Sequence, residues 1–131
     1  MSYEREAIAP SLKGIITCGS ASGYENSENV SLEKLLFHIK EINEEFVAER
    51  KNIIPCIVRK GNLIGRASDS SYKETIYTIE FSYSPRLMQI QRDTFYETLI
   101  EYANRIGNRM QQERIYLEFD CKTEVLKRNY I

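Results

Sequence analysis

The spacing of apolar residues changes along the chain, and each change marks an element. Gly14-Ile15-Ile16-Thr17-Cys18-Gly19 is a short apolar run closed by glycines, which predicts a strand. Residues 20–29 are rich in Ser, Gly, Asn and Glu and read as a loop. From Leu32 the period lengthens. Leu32, Leu35, Leu36, Ile39, Ile42 and Phe46 recur at three- and four-residue steps, which places them on one face of an amphipathic helix. Lys34, His38, Glu41 and Glu45 fall on the other face. Ser31 stands at the N-cap, Glu33 in the first turn suits the helix dipole, and the helix is expected to end near Arg50-Lys51.

Residues 53–59 and 63–66 are again β-rich, and the Gly61-Asn62 pair between them predicts a hairpin turn. Pro55 has no N–H to donate, so it marks a sheet edge or a strand start. Residues 67–73 read as a polar loop. Residues 75–83 then alternate: Ile76, Thr78, Glu80 and Ser82 on one side, Tyr77, Ile79, Phe81 and Tyr83 on the other. Ser84-Pro85 ends this strand. A second helix is expected to start at Asp93 or Thr94, with Thr94 and Glu97 as a capping box. Its buried face is Phe95, Leu99, Tyr102, Ala103, Ile106 and Met110. Gly107 costs that helix about 1 kcal/mol relative to alanine. Ile115, Leu117 and Phe119 alternate with polar neighbours in a last clear strand, and Val125-Leu126 extend it or add a short one.

The resulting order is β-α-β-β-α-β, an α+β chain. It resembles the split layout of ferredoxin-like domains, a two-layer sandwich with both helices on one face of a mostly antiparallel sheet. In repeating a β-α-β unit it is also similar to the small oligomeric tautomerases. Those enzymes use a proline at the mature N-terminus. Here position two is Ser2 and the first proline is Pro10, so the resemblance is one of layout and carries over no catalytic residue.

Composition narrows the class. With 131 residues, 42% apolar and 28% charged, residues 1–131 form one ordinary domain, with a polar lead-in at 1–13 and a tail at 127–131. No apolar stretch is long enough for a membrane span, and the N-terminus lacks the apolar core of a secretion signal, which predicts a cytoplasmic protein. The net charge of −1, with Lys and Arg interleaved among Asp and Glu, argues against nucleic acid as the main partner. Cys18, Cys56 and Cys121 are an odd, scattered set, expected to be reduced and buried. His38 is the sole histidine, so no histidine pair exists for zinc, and neither a metal nor a cofactor is expected. Nine tyrosines supply rings that bury while their hydroxyls find partners, which favours a homo-oligomer.

Candidate chemistry is sparse. Ser20, Ser22 and Tyr24 lie in a Gly/Ser loop between a strand and a helix, where backbone N–H groups can approach an anion. Tyr83 and Arg86 flank a strand end, Arg86 being the arginine expected to matter most to an anionic ligand, and Arg59 and Arg66 sit near the expected hairpin. Glu80 and Glu118 are expected on neighbouring strands, a carboxylate pair suited to acid–base work if burial raises one of them. The leading expectation is a non-catalytic binding protein for a small polar or anionic ligand, a nucleotide among them. The alternatives are a protein–protein interaction module and a cofactor-free isomerase or hydrolase using Glu80, Glu118 or a tyrosine.

Overall fold

The computed structural model describes residues 2–22, 28–67, 70–83, 86 and 90–129. Strands β1 (Lys13–Gly19), β2 (Ala21–Ser22) and β3 (Glu28–Asn29) precede helix α1 (Leu32–Ala48). Strands β4 (Cys56–Ala67) and β5 (Ser70–Ser82) follow, then helix α2 (Arg92–Arg109) and strands β6 (Arg114–Phe119) and β7 (Lys122–Lys127). Five strands form one antiparallel sheet in the order β4-β5-β1-β6-β7, and β2 pairs with β3 apart from it. Without β7 this is the expected ferredoxin-like order, with both helices on one face. Strand β7 adds an edge beyond it.

The helical layer forms because both helices carry an apolar stripe. On α1 it is Leu35, Ile39, Ile42 and Phe46, and on α2 Phe95, Leu99, Tyr102, Ala103 and Ile106. These pack on the inward side of the sheet, Ile16, Cys18, Tyr77, Ile79, Phe81, Ile115 and Leu117, to make one core. Gly14 lets α2 come close to β1, since a methyl group there would stand 2.3 Å from Leu99 Cδ1. Tyr102 anchors the centre. Its ring lies 4.5 Å from that of Phe46 and 4.6 Å from that of Phe81. Its hydroxyl donates to Asn43 Oδ1 at 2.6 Å and accepts from the Ile54 N–H, so the buried phenol is satisfied.

Local rules explain most boundaries. Ser31 caps α1 by accepting from the Lys34 N–H at 3.1 Å, as its position suggests, and the helix ends where Arg50 takes a positive φ of 59°. Pro55 directly precedes the edge strand β4, and its carbonyl accepts from the Ser82 N–H.

Four expectations are corrected. Gly61-Asn62 is not a turn: it lies inside β4, opposite Ile76 and Thr75. The β-branched and aromatic residues on either side pair through it, and the two strands run on to Ala67 and Ser70, so residues 70–73 are strand and not loop. Gly65 there accommodates Tyr72, whose hydroxyl would meet a methyl group at 2.5 Å. The Thr94–Glu97 capping box does not form, because α2 starts at Arg92, after Gln91, and Thr94 instead accepts from Thr98 Oγ1 through its carbonyl. Finally, Cys121 is exposed, in the tight β6–β7 turn where it and Asp120 have positive φ.

Candidate functional site

Among the described residues, the face of the sheet away from the helices keeps apolar side chains exposed: Ile57, Tyr116 and Val125 are 50%, 43% and 54% exposed on it. Strand register arranges this face in rows. One row reads Ile57, Glu80, Ile15, Glu118, Thr123 across β4, β5, β1, β6 and β7. The next reads Arg59, Thr78, Thr17, Tyr116, Val125. Glu80 and Glu118 are therefore not on neighbouring strands, as expected from sequence, but on either side of β1 with Ile15 between them. Two strand spacings put their Cα atoms about 10 Å apart, a span that one small molecule can fill. The central position of β1, paired with β5 along one edge and with β6 along the other, decides this.

The face combines two carboxylates, the Arg59 guanidinium, the hydroxyls of Thr17 and Thr78, and the Tyr116 ring. Carboxylates on an uncovered surface can attract a positive centre and accept a proton. The ring offers a flat apolar surface to a heterocycle.

The other sequence-derived candidates are dispersed. Ser20 is buried and committed: its N–H donates to Thr75, its carbonyl accepts from Val30, and its hydroxyl contacts Asn29 Oδ1 at 3.2 Å. Ser22 pairs with Glu28 in the β2–β3 ladder. Tyr24 lies outside the described residues. Arg59 is exposed and opposite Thr78, whereas Arg66 is opposite Ser71, near the far end of the same strand. Tyr83 follows β5 and faces the helix side. Arg86 lies beyond the Lys13–Ser82 end of the sheet, exposed, with Nε 3.9 Å from Glu6 Oε2. The Gly/Ser loop leaves from the Gly19–Ile76 end, so loop and Arg86 stand at opposite ends of β1.

Charged residues on the helices are engaged in packing. Arg105 bonds Glu45, Glu49 and Glu101 and stands over the Phe46 ring, and Arg109 bonds Glu41 and Glu45. This clasp ties α1 to α2. It holds the Glu49 carboxyl down at about 2, chiefly through its hydrogen bonds with Arg105 and Lys51. It also takes up the carboxylates that share a helix face with His38, whose imidazole is pushed down by burial and then by Lys34 and Arg109. Burial pushes the Cys18 thiol up to about 12, which makes it a core group and not a nucleophile. Among the described residues no three His, Cys, Asp or Glu side chains converge as metal ligands. No helix among them is long and apolar enough to cross a membrane.

The Glu80–Glu118 relation was half legible. Alternation assigns Glu80 to the face opposite Phe81 and Glu118 to the face opposite Leu117. Strand order, which brings them to the same side of one sheet around β1, is not written in either strand.

No protein-family model and no curated protein matches this sequence. Its fold matches that of a phage SAM lyase in the apo state with a TM-score of 0.74, at 10% identity, over 100% of this chain and 99% of that one. It also matches a phage SAM lyase in complex with S-methyl-5'-thioadenosine, with a TM-score of 0.67 at 11% identity, over 99% of each chain. At such identities the likeness is one of fold, and the second of these structures holds a small nucleoside ligand.

Proposed function

We propose that this chain binds a small nucleoside-type ligand with a positive centre on the uncovered sheet face, and that it cleaves that ligand as a cofactor-free lyase. S-adenosylmethionine is the substrate that tests this reading. The observation that carries it is the placement of Glu80 and Glu118 on either side of Ile15, on the open face of a fold shared end to end with a SAM lyase. Two carboxylates suit a sulfonium in two ways. Their charge favours the cation over the neutral thioether product. One of them can take the proton from the carbon beside the one bonded to sulfur, so that the C–H electron pair becomes a C=C bond as the C–S bond breaks and its pair leaves on the neutral thioether. Tyr116 offers its ring to the adenine, and Arg59 a guanidinium to the ligand carboxylate. The exposed Ile57, Tyr116 and Val125 are best buried against a second copy of the chain, so the working form in this reading is a homo-oligomer whose assembly closes the site to water.

Binding without turnover is the second reading. It is favoured by the exposure of Glu118, since an exposed carboxylate is a weak base. One experiment separates the two. Purified protein is incubated with S-adenosylmethionine, methylthioadenosine is followed by mass spectrometry, and binding is measured in parallel by calorimetry. Methylthioadenosine formed by the native chain and lost in Glu80→Gln and Glu118→Gln supports the lyase. Heat of binding without product supports the binder. Neither product nor heat removes this ligand class.

A further inference from the structure

On the helix side of the sheet, away from Glu80 and Glu118, an open cavity of about 210 Å³ lies between the second half of α2, the start of β6 and the end of β7. Gly107, Ile115 and Leu126 form its floor, and Asn104, Asn108 and Arg128 stand around it. Among the described residues its lining contains no carboxylate. Lys127 also borders it, but alternation along β7 turns that side chain to the other face of the sheet, which leaves Arg128 as the cation on this side.

Arg128 departs from the pattern of the other half-buried arginines. Arg105 bonds Glu45, Glu49 and Glu101, and Arg109 bonds Glu41 and Glu45. Arg128 is also half-buried, yet it forms no ion pair among the described residues, and its Nε donates to the Gln112 carbonyl at 3.3 Å. A guanidinium that has lost part of its water without gaining an anion favours one brought from outside. Asn104 and Asn108, one turn apart on the same face of α2, add two exposed amides. Gly107 is the second departure. It costs the helix about 1 kcal/mol relative to alanine, yet it does not take a positive φ, and a methyl group there would meet Ile115 Cδ1 at an ordinary 3.9 Å. At Gly14 and Gly65 a side chain has no room, whereas at Gly107 the space is left open, and it forms part of the cavity floor. A forked cation, two amides and an apolar floor match a carboxylate head, hydroxyl groups and a carbon chain. An ammonium group would find no carboxylate in this lining, which sets amino acids aside.

We propose that this cavity is a second ligand site, independent of the sheet face, for a small hydroxylated monocarboxylate. The carboxylate takes the Arg128 guanidinium, the hydroxyls take the Asn104 and Asn108 amides, and the carbon chain lies over Gly107, Ile115 and Leu126. The probe is gluconate, titrated into ¹⁵N-labelled full-length protein. Sorbitol, which keeps the hydroxyls, and hexanoate, which keeps the carboxylate, are the controls. Amide shifts are expected at Asn104, Gly107, Asn108 and Arg128, with gluconate preferred over both controls. Arg128→Gln is expected to weaken gluconate about tenfold or more and to erase its preference over sorbitol. Asn108→Ala is expected to weaken gluconate about three- to tenfold, the range of one hydrogen bond, with hexanoate unaffected. Gly107→Ala is expected to raise the melting temperature of the unliganded protein and to weaken gluconate, because its methyl group occupies the floor. Opposite signs in stability and affinity are the signature a merely structural glycine does not give. The site is overturned if gluconate does not bind at millimolar concentration or binds no better than sorbitol. It is equally overturned if the shifts fall on the sheet face around Thr17 and Tyr116, or if Arg128→Gln and Gly107→Ala leave gluconate affinity unchanged.

Discussion

On its helix side the sheet presents Ile16, Cys18, Ile79, Phe81 and Leu117, each at most 2% exposed. On its other side the alternating positions of the same strands present Ile15, Thr17, Thr78, Glu80, Tyr116 and Glu118, half-buried or exposed. The backbone is shared, so hydrogen bonding in the ladder is the same for both faces, and side-chain chemistry alone separates them. The inner face is almost wholly apolar because a polar group there loses water and must find a partner, as the Tyr77 hydroxyl does in the Val30 carbonyl. The outer face keeps polar groups at little cost to folding. Stability is thus concentrated on one face, which leaves the chemistry of the other open to function.

The sharpest way to break this division is to perturb each face in turn. Leu99→Ala and Leu35→Ala remove side chains that are fully buried, and each is expected to cost about 2–5 kcal/mol in urea unfolding. Values under about 0.5 kcal/mol, the range of surface changes, would mean that the helical layer is not where stability resides. Glu80→Gln and Glu118→Gln are expected to do the reverse. Under the proposed lyase reading, turnover of S-adenosylmethionine should fall about a hundredfold or more, with unfolding midpoints nearly those of the native chain. Unfolding of either variant would make that carboxylate structural.

A pH titration tests whether the outer surface of the helices belongs with the stable face. The Glu49 carboxyl is depressed from 4.5 to about 2, and that of Glu101 is also lowered, both chiefly by hydrogen bonds with Arg105. A depressed carboxyl stabilises the fold above its unfolded value and loses that contribution as pH falls through its folded one. The clasp should therefore contribute fully above pH about 4.5 and fade toward pH about 2. Its groups are solvent-exposed, so the effect is modest and salt should reduce it. An Arg105→Ala variant with the same acid unfolding curve as the native chain would remove the clasp from the account. The smallest effect is expected from Gly107→Ala. A methyl group there meets Ile115 Cδ1 at 3.9 Å, an ordinary contact. The gain in helix propensity should stabilise the protein by about 0.5–1 kcal/mol in thermal unfolding, and a loss would mean that the α2–β6 contact has no room for a methyl group.

Much of this division can be traced in the chain itself. The periods of three to four in residues 32–46 and 95–110, and of two in residues 76–83 and 115–119, mark both helices, two central strands and nearly the whole core. Those signals are local: each follows from which side of one element must avoid water. Turn chemistry was less decisive. Gly61-Asn62 has the composition of a hairpin, yet the pairing of the residues around it continues in register, and a ladder of twelve residue pairs outweighs one local preference.

What the tertiary structure alone decided is proximity between elements. No residue in β5 or β6 states that β1 will lie between them, so nothing in either strand announces that Glu80 and Glu118 share a row. Ser20 belongs to a loop that looks adapted to an anion, and only long-range pairing with Thr75 and Asn29 shows its groups already used. Tyr83 reads as one more aromatic on an alternating strand, and only its packing leaves its hydroxyl buried without a partner. Periodicity records how each element meets water, whereas a site is made of groups far apart in the chain, and their meeting is set by the packing of whole elements.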